Sequence, residues 1–160
     1  MLRLGGYPGE LLLELYNESL KIHGDDYEIL KKLSKFCVTN HDNQGSLEYL
    51  KRALSIKNDD KDLWFHRGKR ELNIAYDENK LGTGHKYCNF AIKSFQKAMR
   101  HPAKNSLDKH YNASNYFYLA RAYFLKFETK KAEDACLNGL EENPHFAKLE
   151  SFLHKVRQFL

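Results

Sequence analysis

One 34-residue skeleton occurs twice in this chain, and it limits the possible folds more than any other feature of the sequence. The regular copies span residues 27–60 and 113–146, and a third, stretched copy lies around residues 64–98. Large and small side chains fall at matching offsets, as stacked helical hairpins require. The small positions in the three copies are Ser34, Ser46 and Ala53; Gly68, Ala91 and Ala98; Ala120, Ala132 and Gly139. A fixed period of this length predicts a repeat array.

The composition is typical of an all-α protein. The 160 residues are 42% hydrophobic and include only three prolines and nine glycines, which is enough apolar sequence for a core and few helix breakers. No apolar run is long enough for a membrane span, and no signal-peptide layout is present, so we expect a cytoplasmic or nuclear protein. Cys37, Cys88 and Cys136 are far apart and lack a C-x-x-C pair, which favours buried structural thiols in a reducing compartment.

The apolar spacing predicts about seven helices in one domain. We expect a partial repeat at 1–26, a repeat at 27–60, an extended repeat at 61–105, a repeat at 106–146 and a C-terminal capping helix at 147–160. Leu81 and the glycines that follow it predict a break within the extended repeat. Pro144 is expected in the first turn of the last helix, where proline is tolerated.

The middle copy is longer than the others. The small residues are 12 positions apart from Ser34 to Ser46 and from Ala120 to Ala132, but 23 apart from Gly68 to Ala91. The difference of 11 residues is about three helical turns. Lengthened helices are therefore predicted here, with apolar residues after Gly68 pairing with those before Ala91.

These residues resemble tetratricopeptide repeats. That family pairs a bulky residue, Leu, a small residue and an aromatic on its first helix with Ala, a large apolar residue and Ala on its second. The resemblance covers residues 11–160 and implies an α-solenoid, a superhelical array of antiparallel helix pairs. Residues 11–22 match a second helix, which predicts that the chain starts inside a hairpin with residues 4–7 as its remnant turn, and that it is a segment of a larger protein.

The resemblance also implies a concave ligand surface formed by the first helices. The ninth repeat position is expected to face the ligand, and it holds Lys35, Lys69 and Arg121, with Lys155 on continuing the period. The rings beside this basic column are Phe65, His66, Phe117 and Tyr118, with Phe124 further along. The net charge of +5 permits an acidic partner. A basic, aromatic-flanked groove suits an acidic peptide, so we expect a protein-interaction scaffold or adaptor, acting within a multi-subunit assembly.

Three alternatives remain open at this point. The cations could be ordinary solvated residues with the rings packed between hairpins. The chain could bind RNA, since interferon-induced tetratricopeptide proteins, which it resembles in architecture, also mix regular and lengthened repeats. The convex side or the extended hairpin could instead be the binding surface. Chaperone-tail binding is disfavoured, because the positions of its carboxylate clamp hold Asp62, His66, Ser114 and Tyr118.

Enzymatic motifs are missing from the sequence. It has no H-E-x-x-H, no paired Cys/His spacing for zinc and no nucleophile–base set. His85 and Cys88 form a lone pair of potential ligands, and Gly82-x-Gly84 lacks the residues of a phosphate loop. We therefore expect no catalysis, no metal and no cofactor.

Overall fold

The computed structural model describes residues 8–79 and 84–160, and these form eight α-helices. The helices are α1 (Pro8–His23), α2 (Tyr27–Thr39), α3 (Asn43–Ile56), α4 (Lys61–Asn79), α5 (His85–Ala98), α6 (Ser106–Leu125), α7 (Thr129–Glu142) and α8 (Ala147–Arg157). The remnant turn predicted at residues 4–7 lies outside the described residues, as does most of the break predicted at 81–84. Two compact units are present, one ending at Asp59 and the other beginning at Asp60.

In the first unit, α2 packs on α1 and on α3. Asp26 caps α2 by accepting a hydrogen bond from Ile29 N at 2.8 Å, and Asp42 caps α3 in the same way from Gly45 N at 2.8 Å. The matched small residues Ser34 and Ser46 are both buried, and their Oγ atoms are 2.9 Å apart. The predicted helix–helix contact at these positions is therefore present and is a hydrogen bond.

In the second unit, each helix from α4 to α8 packs on the next one, and α6 also contacts α4 and α8. Small residues again allow the helices to approach. A Cβ at Gly68 would lie 2.7 Å from Cε1 of the fully buried Phe95, and one at Gly139 would lie 2.5 Å from Cδ1 of Leu149. Both glycines are required by close packing rather than by backbone conformation.

The second repeat is longer than the first, as predicted, and α4 has 19 residues where α2 has 13. Its face bearing Leu72 and Ala75 is buried, and Cys88 of α5 is buried as well. The helix α5 has 14 residues, the same number as α3 and α7. The additional described length of this repeat is therefore in its first helix.

A carboxylate is buried between α4 and α5. Glu71 is 1% exposed; its Oε1 accepts from Arg67 Nε at 2.8 Å and its Oε2 accepts from Ser94 Oγ at 2.6 Å. Arg67 Cζ also lies 4.9 Å from the ring centroid of Trp64, and Lys97 Nζ lies 4.1 Å from it. Hydrogen bonds to both oxygens offset the desolvation of the Glu71 side chain and join the two helices.

The connection between α5 and α6 is held by Arg100 and Asn112. Arg100 Nη2 lies 2.7 Å from Asp62 Oδ1 in α4, and its Nη1 lies 3.3 Å from Asp108 Oδ1 in α6. The fully buried Asn112 side chain accepts from Arg100 N at 2.8 Å and donates to Arg100 O at 2.9 Å. These bonds position the first turn of α6 beside α4.

The expected helical start at Pro144 is wrong, because α8 begins at Ala147. Asn143 O accepts from Phe146 N at 3.2 Å, and Asn143 Oδ1 accepts from His145 N at 3.3 Å, so Pro144 lies in a turn. The first helical bonds of α8 run back to Phe146 O. None of the described helices combines the length and apolar character that a membrane span needs.

Candidate functional site

Three of the four column cations lie on helices linked through α6, which contacts both α4 and α8. Lys69 belongs to α4, Arg121 to α6 and Lys155 to α8. Each cation is placed over aromatic rings. Lys69 Nζ is 5.6 Å from the Phe65 centroid, Arg121 Cζ is 5.6 Å from that of Phe117, and Lys155 Nζ is 5.8 Å from that of Phe124. At these distances the ring face attracts the cation.

Tyr118 is shared by two of these cations. Lys69 Nζ lies 5.2 Å from its ring centroid and Arg121 Cζ lies 5.7 Å from the same centroid, so the two charges are at most about 11 Å apart. The Tyr118 ring stacks on Phe95 at 5.7 Å and has the Phe65 ring at its edge at 5.5 Å. The core thus holds the ring under both cations.

The rings form a continuous run along α4, α6 and α8. From Phe65 the run passes to Tyr118 at 5.5 Å, to Phe117 at 5.2 Å, to Phe152 at 5.9 Å, to Phe124 at 5.6 Å and to Phe159 at 5.4 Å. Most of these rings are half-buried and pack against the core while leaving part of their surface open. The same rings therefore pack against the core and are accessible to a ligand.

The electrostatics at this run are positive. Among the described residues, none of Lys69, Arg121 and Lys155 takes part in an ion pair, whereas Arg67, Arg100 and Arg157 each do. Desolvation lowers the pKa of His66, and the positive charges of Lys69 and Arg70 lower it further. The lowered pKa favours the neutral form of His66, whose ring lies 5.8 Å from that of Phe65.

The fourth column residue, Lys35, belongs to the first unit. It is exposed on α2 and lines an apolar cavity of about 290 Å³ with Phe36 and with Leu12 and Tyr16 of α1. Among the expected clamp positions, Asp62 is paired with Arg100 and so is committed to the α5–α6 connection.

Sequence reasoning missed two aromatic members of the site. Tyr76 lies 5.1 Å from Arg121 Cζ, and its hydroxyl accepts from Arg121 Nε at 3.4 Å. Tyr76 is on the part of α4 that extends beyond the length of α2, so only the stretched repeat provides this ring. Phe152 occupies the sixth position of the continued period, three residues before Lys155, as Tyr118 does before Arg121. Counting that position would have identified it.

The thiols are buried. Burial raises the pKa of Cys88 to about 11 and that of Cys136 to about 12, and it also raises the pKa of Cys37. Cys88 is fully buried and its neighbour His85 is exposed, so the two do not form a ligand pair. Within residues 8–79 and 84–160, no group of three His, Cys, Asp or Glu side chains is arranged to hold a metal ion.

Solved structures resemble this chain in fold. Two structures of the MamA protein, each 19% identical, align over 94% of the chain with TM-scores of 0.71 and 0.65, covering 73% and 88% of those proteins. TTC0263, a thermophilic TPR protein of Thermus thermophilus, is 14% identical with a TM-score of 0.50, over 94% of this chain and 91% of its own. No family model and no curated protein matches the sequence.

At these identities the likeness establishes the fold. The chain has an all-α, tetratricopeptide-like fold of antiparallel helix pairs, as the 34-residue skeleton predicts. Because a fold of this kind does not by itself assign a role, the comparisons leave the function of the chain open.

Proposed function

We propose that this chain is a non-enzymatic protein-interaction module whose second unit binds an acidic, extended segment of a partner protein along α4, α6 and α8. One observation carries the proposal: Lys69 and Arg121 lie over the same Tyr118 ring, and no described carboxylate pairs with either. At their largest separation of about 11 Å the two like charges repel by about 0.4 kcal/mol in water, and by more if they are closer, whereas a carboxylate placed between them is attracted by both.

The ring run supplies the apolar part of the interface. Half-buried Phe117 and Phe152 are held in edge-to-face contact at 5.9 Å, so their exposed surfaces need no ordering on binding. Preorganised rings of this kind bury ligand side chains at low entropic cost. The cations then select partners in which acidic residues alternate with apolar ones.

The separation of the cations suggests a spacing for the ligand. An extended peptide rises about 3.3 Å per residue, so a distance of at most about 11 Å corresponds to three residues or fewer. We therefore propose acidic side chains at every third position, with apolar side chains between them. Lys155 on α8 extends the same arrangement by one more helix.

The test uses a fluorescent twelve-residue peptide with glutamate at every third position and leucine among the others. Lys69→Glu/Arg121→Glu should weaken its binding by about tenfold or more, because charge-assisted bonds contribute about 1.5–3 kcal/mol each. The matched control is Lys51→Glu/Lys93→Glu, which makes the same change in net charge at two exposed lysines of α3 and α5, helices that carry none of the column cations. Fluorescence anisotropy measures the peptide affinity of both double variants.

If both double variants weakened peptide binding equally, binding would depend only on the net charge of the chain, which would contradict the proposal. A single-stranded RNA oligonucleotide provides the second arm. If RNA displaces the peptide and its own affinity falls steeply with salt, the column is a nucleic-acid site instead. Crosslinking of the chain to partners captured from cells, with contacts mapped to α4, α6 and α8, extends the test to natural ligands.

A further inference from the structure

The helix α1 presents a row of leucines to solvent. Leu11 is 59% exposed, Leu12 48% and Leu15 58%, while Leu20, which lies opposite Leu11 around the helix, is 7% exposed and belongs to the core. Large apolar side chains exposed side by side on one helix face indicate a binding surface. The α1 open face is defined here by Leu11, Leu12, Leu15 and Tyr16.

The repeat register shows which kind of element covers the side of this face that bears Leu12 and Tyr16. Residues of α1 correspond to residues of α3 that follow 34 positions later, so that Leu12, Tyr16 and Ser19 match Ser46, Leu50 and Ala53. In α3 this row is 0–2% exposed, and Ser46 makes its hydrogen bond to Ser34 of α2. In α1 none of the three matched residues is buried. The covering element in the equivalent place is a helix of the α2 type.

A groove continues this open face onto α2. The cavity of about 290 Å³ has Leu12 and Tyr16 on one wall and Leu33 and Phe36 on the other. On its other side α1 is linked to α3 by a hydrogen bond, in which Asn17 Oδ1 accepts from Tyr49 Oη at 3.0 Å. The groove is thus accessible without disturbing the contacts of α1 with α3.

Charges of opposite sign border the two edges of this surface. Glu14 and Glu18 are exposed and one turn apart, beside the row of Leu11 and Leu15. Lys32 and Lys35 of α2 line the far edge, with Lys32 Nζ 5.5 Å from the Tyr16 ring. Among the described residues, none of these four side chains takes part in an ion pair. One edge is therefore acidic and the other basic.

We propose that the α1 open face binds an amphipathic helix whose apolar stripe covers the leucines, with basic residues on the edge facing Glu14 and Glu18 and acidic residues on the edge facing Lys32 and Lys35. The covering of α3 by α2 argues for a helical occupant, and the two charged edges argue for its charge pattern. Complementary edges fix the direction in which the helix lies. This surface belongs to the first unit and does not depend on the function of the α4–α6–α8 site.

The test uses three synthetic 18-residue helices with the same leucine stripe. One carries lysines on one edge and glutamates on the other, the second mixes the same residues on both edges, and the third carries glutamates on both edges. The 160-residue chain should bind the segregated peptide about tenfold more tightly than the mixed one, since several rim pairs contribute together. Fluorescence anisotropy at low and moderate salt measures the affinities.

Two variants test the assigned residues. The variant Leu11→Ser/Leu15→Ser should no longer bind any of the three peptides, while its circular dichroism spectrum shows that the helices are intact. Glu14→Lys/Glu18→Lys makes both edges basic and should transfer the preference to the peptide with glutamates on both edges. Lys69→Glu/Arg121→Glu, in the other unit, should leave these affinities unchanged, which distinguishes failure of this proposal from failure of the acidic-segment site.

Equal affinity for the segregated and mixed peptides would overturn the charge pattern, and retained binding in the leucine variant would overturn the surface. Sedimentation supplies a further outcome. If the chain forms dimers that Leu15→Glu dissociates, the occupant is a second copy of the chain and the proposed partner helix is wrong.

Discussion

At the residue scale, the turns that follow α2 and α6 have the same backbone conformation. Each has a residue other than glycine at the left-handed position, where glycine is favoured. His41 has a φ of 58° and Phe127 a φ of 62°, and each is the fifteenth residue of its 34-residue copy. After α2, His41 N donates to Val38 O at 3.1 Å and Asp42 N to Cys37 O at 2.8 Å. The same pair of bonds follows α6. This is the Schellman arrangement, in which the left-handed residue is usually glycine.

Replacing Phe127 with glycine should therefore stabilise the protein. A left-handed conformation costs a residue with a Cβ about 1–2 kcal/mol, which exceeds the added entropy cost of glycine. Because Phe127 is 80% exposed, little apolar burial is lost. The free energy of unfolding of Phe127→Gly, from urea titration, should rise by about 1 kcal/mol. Phe127→Ala is the control and should show no such gain, since it keeps a Cβ.

Asp108 makes the free energy of unfolding depend on pH in the acid range. The N–H of Lys104 and the guanidinium of Arg100 hold the pKa of this carboxyl below its ordinary value of 3.8. The ionised carboxylate therefore stabilises the fold above the unfolded-state pKa, and the contribution is lost as pH falls through the lower folded-state pKa. As the pH falls below about 4, the free energy of unfolding should decrease less steeply for Asp108→Asn than for the wild type. Urea titrations at each pH measure the two slopes, and equal slopes would contradict the prediction.

At the element scale, a glycine allows α7 to approach α6 and α8 closely. A Cβ at Gly139 would meet Leu149 at 2.5 Å and Cβ of Tyr116 at 2.8 Å, and neither a neighbouring backbone-linked carbon nor a fully buried leucine can move freely. Gly139→Ala should therefore lower the free energy of unfolding by about 1–3 kcal/mol, although alanine favours helix. Asn138→Ala, exposed on the same helix, measures the propensity effect alone. A stabilised Gly139→Ala would contradict the close contact.

The repeat register predicts the small buried residues well, because the period itself arises from that packing. Ser34, Gly68, Ala120 and Gly139 are all buried where the skeleton places them. The register does not predict the buried Glu71, since glutamate on a helix is normally solvated. A signal was nevertheless present, because Glu71 lies three residues after Gly68 and next to Leu72, on the core face.

The candidate site was less predictable than the fold. The ninth-position column follows from counting residues, but the sharing of Tyr118 by Lys69 and Arg121 depends on distances between helices, which a period does not contain. The ring of Tyr76 reaches Arg121 only because α4 is extended. Ligand binding by Lys35, Lys69, Arg121 and Lys155 stays a prediction.

At the scale of the whole molecule, the three thiols report on the two units separately. Cys37 lies in the first unit, and Cys88 and Cys136 lie in the second. Buried thiols with raised pKa values react slowly, so alkylation follows unfolding. A smaller unit buries a smaller fraction of its surface and is less stable. Pulsed alkylation in rising urea, read by mass spectrometry, should therefore label Cys37 at lower urea than Cys136.

One shared midpoint for all three thiols would contradict this prediction and show that the chain unfolds in a single step. The variant Cys37→Ser controls for an effect of the modification of Cys37 itself. In this variant the two remaining thiols should be labelled at the same urea concentrations as in the wild type.

The contacts of Trp64 give the chain an intrinsic optical probe. Trp64 is the only tryptophan in the sequence, and it lies in α4 with Lys97 Nζ 4.1 Å and Arg67 Cζ 4.9 Å from its ring. Indole emission shifts with the charge and water around the ring, and both change when α4 separates from α5. Tryptophan fluorescence therefore records the separation of α4 from α5 within the second unit.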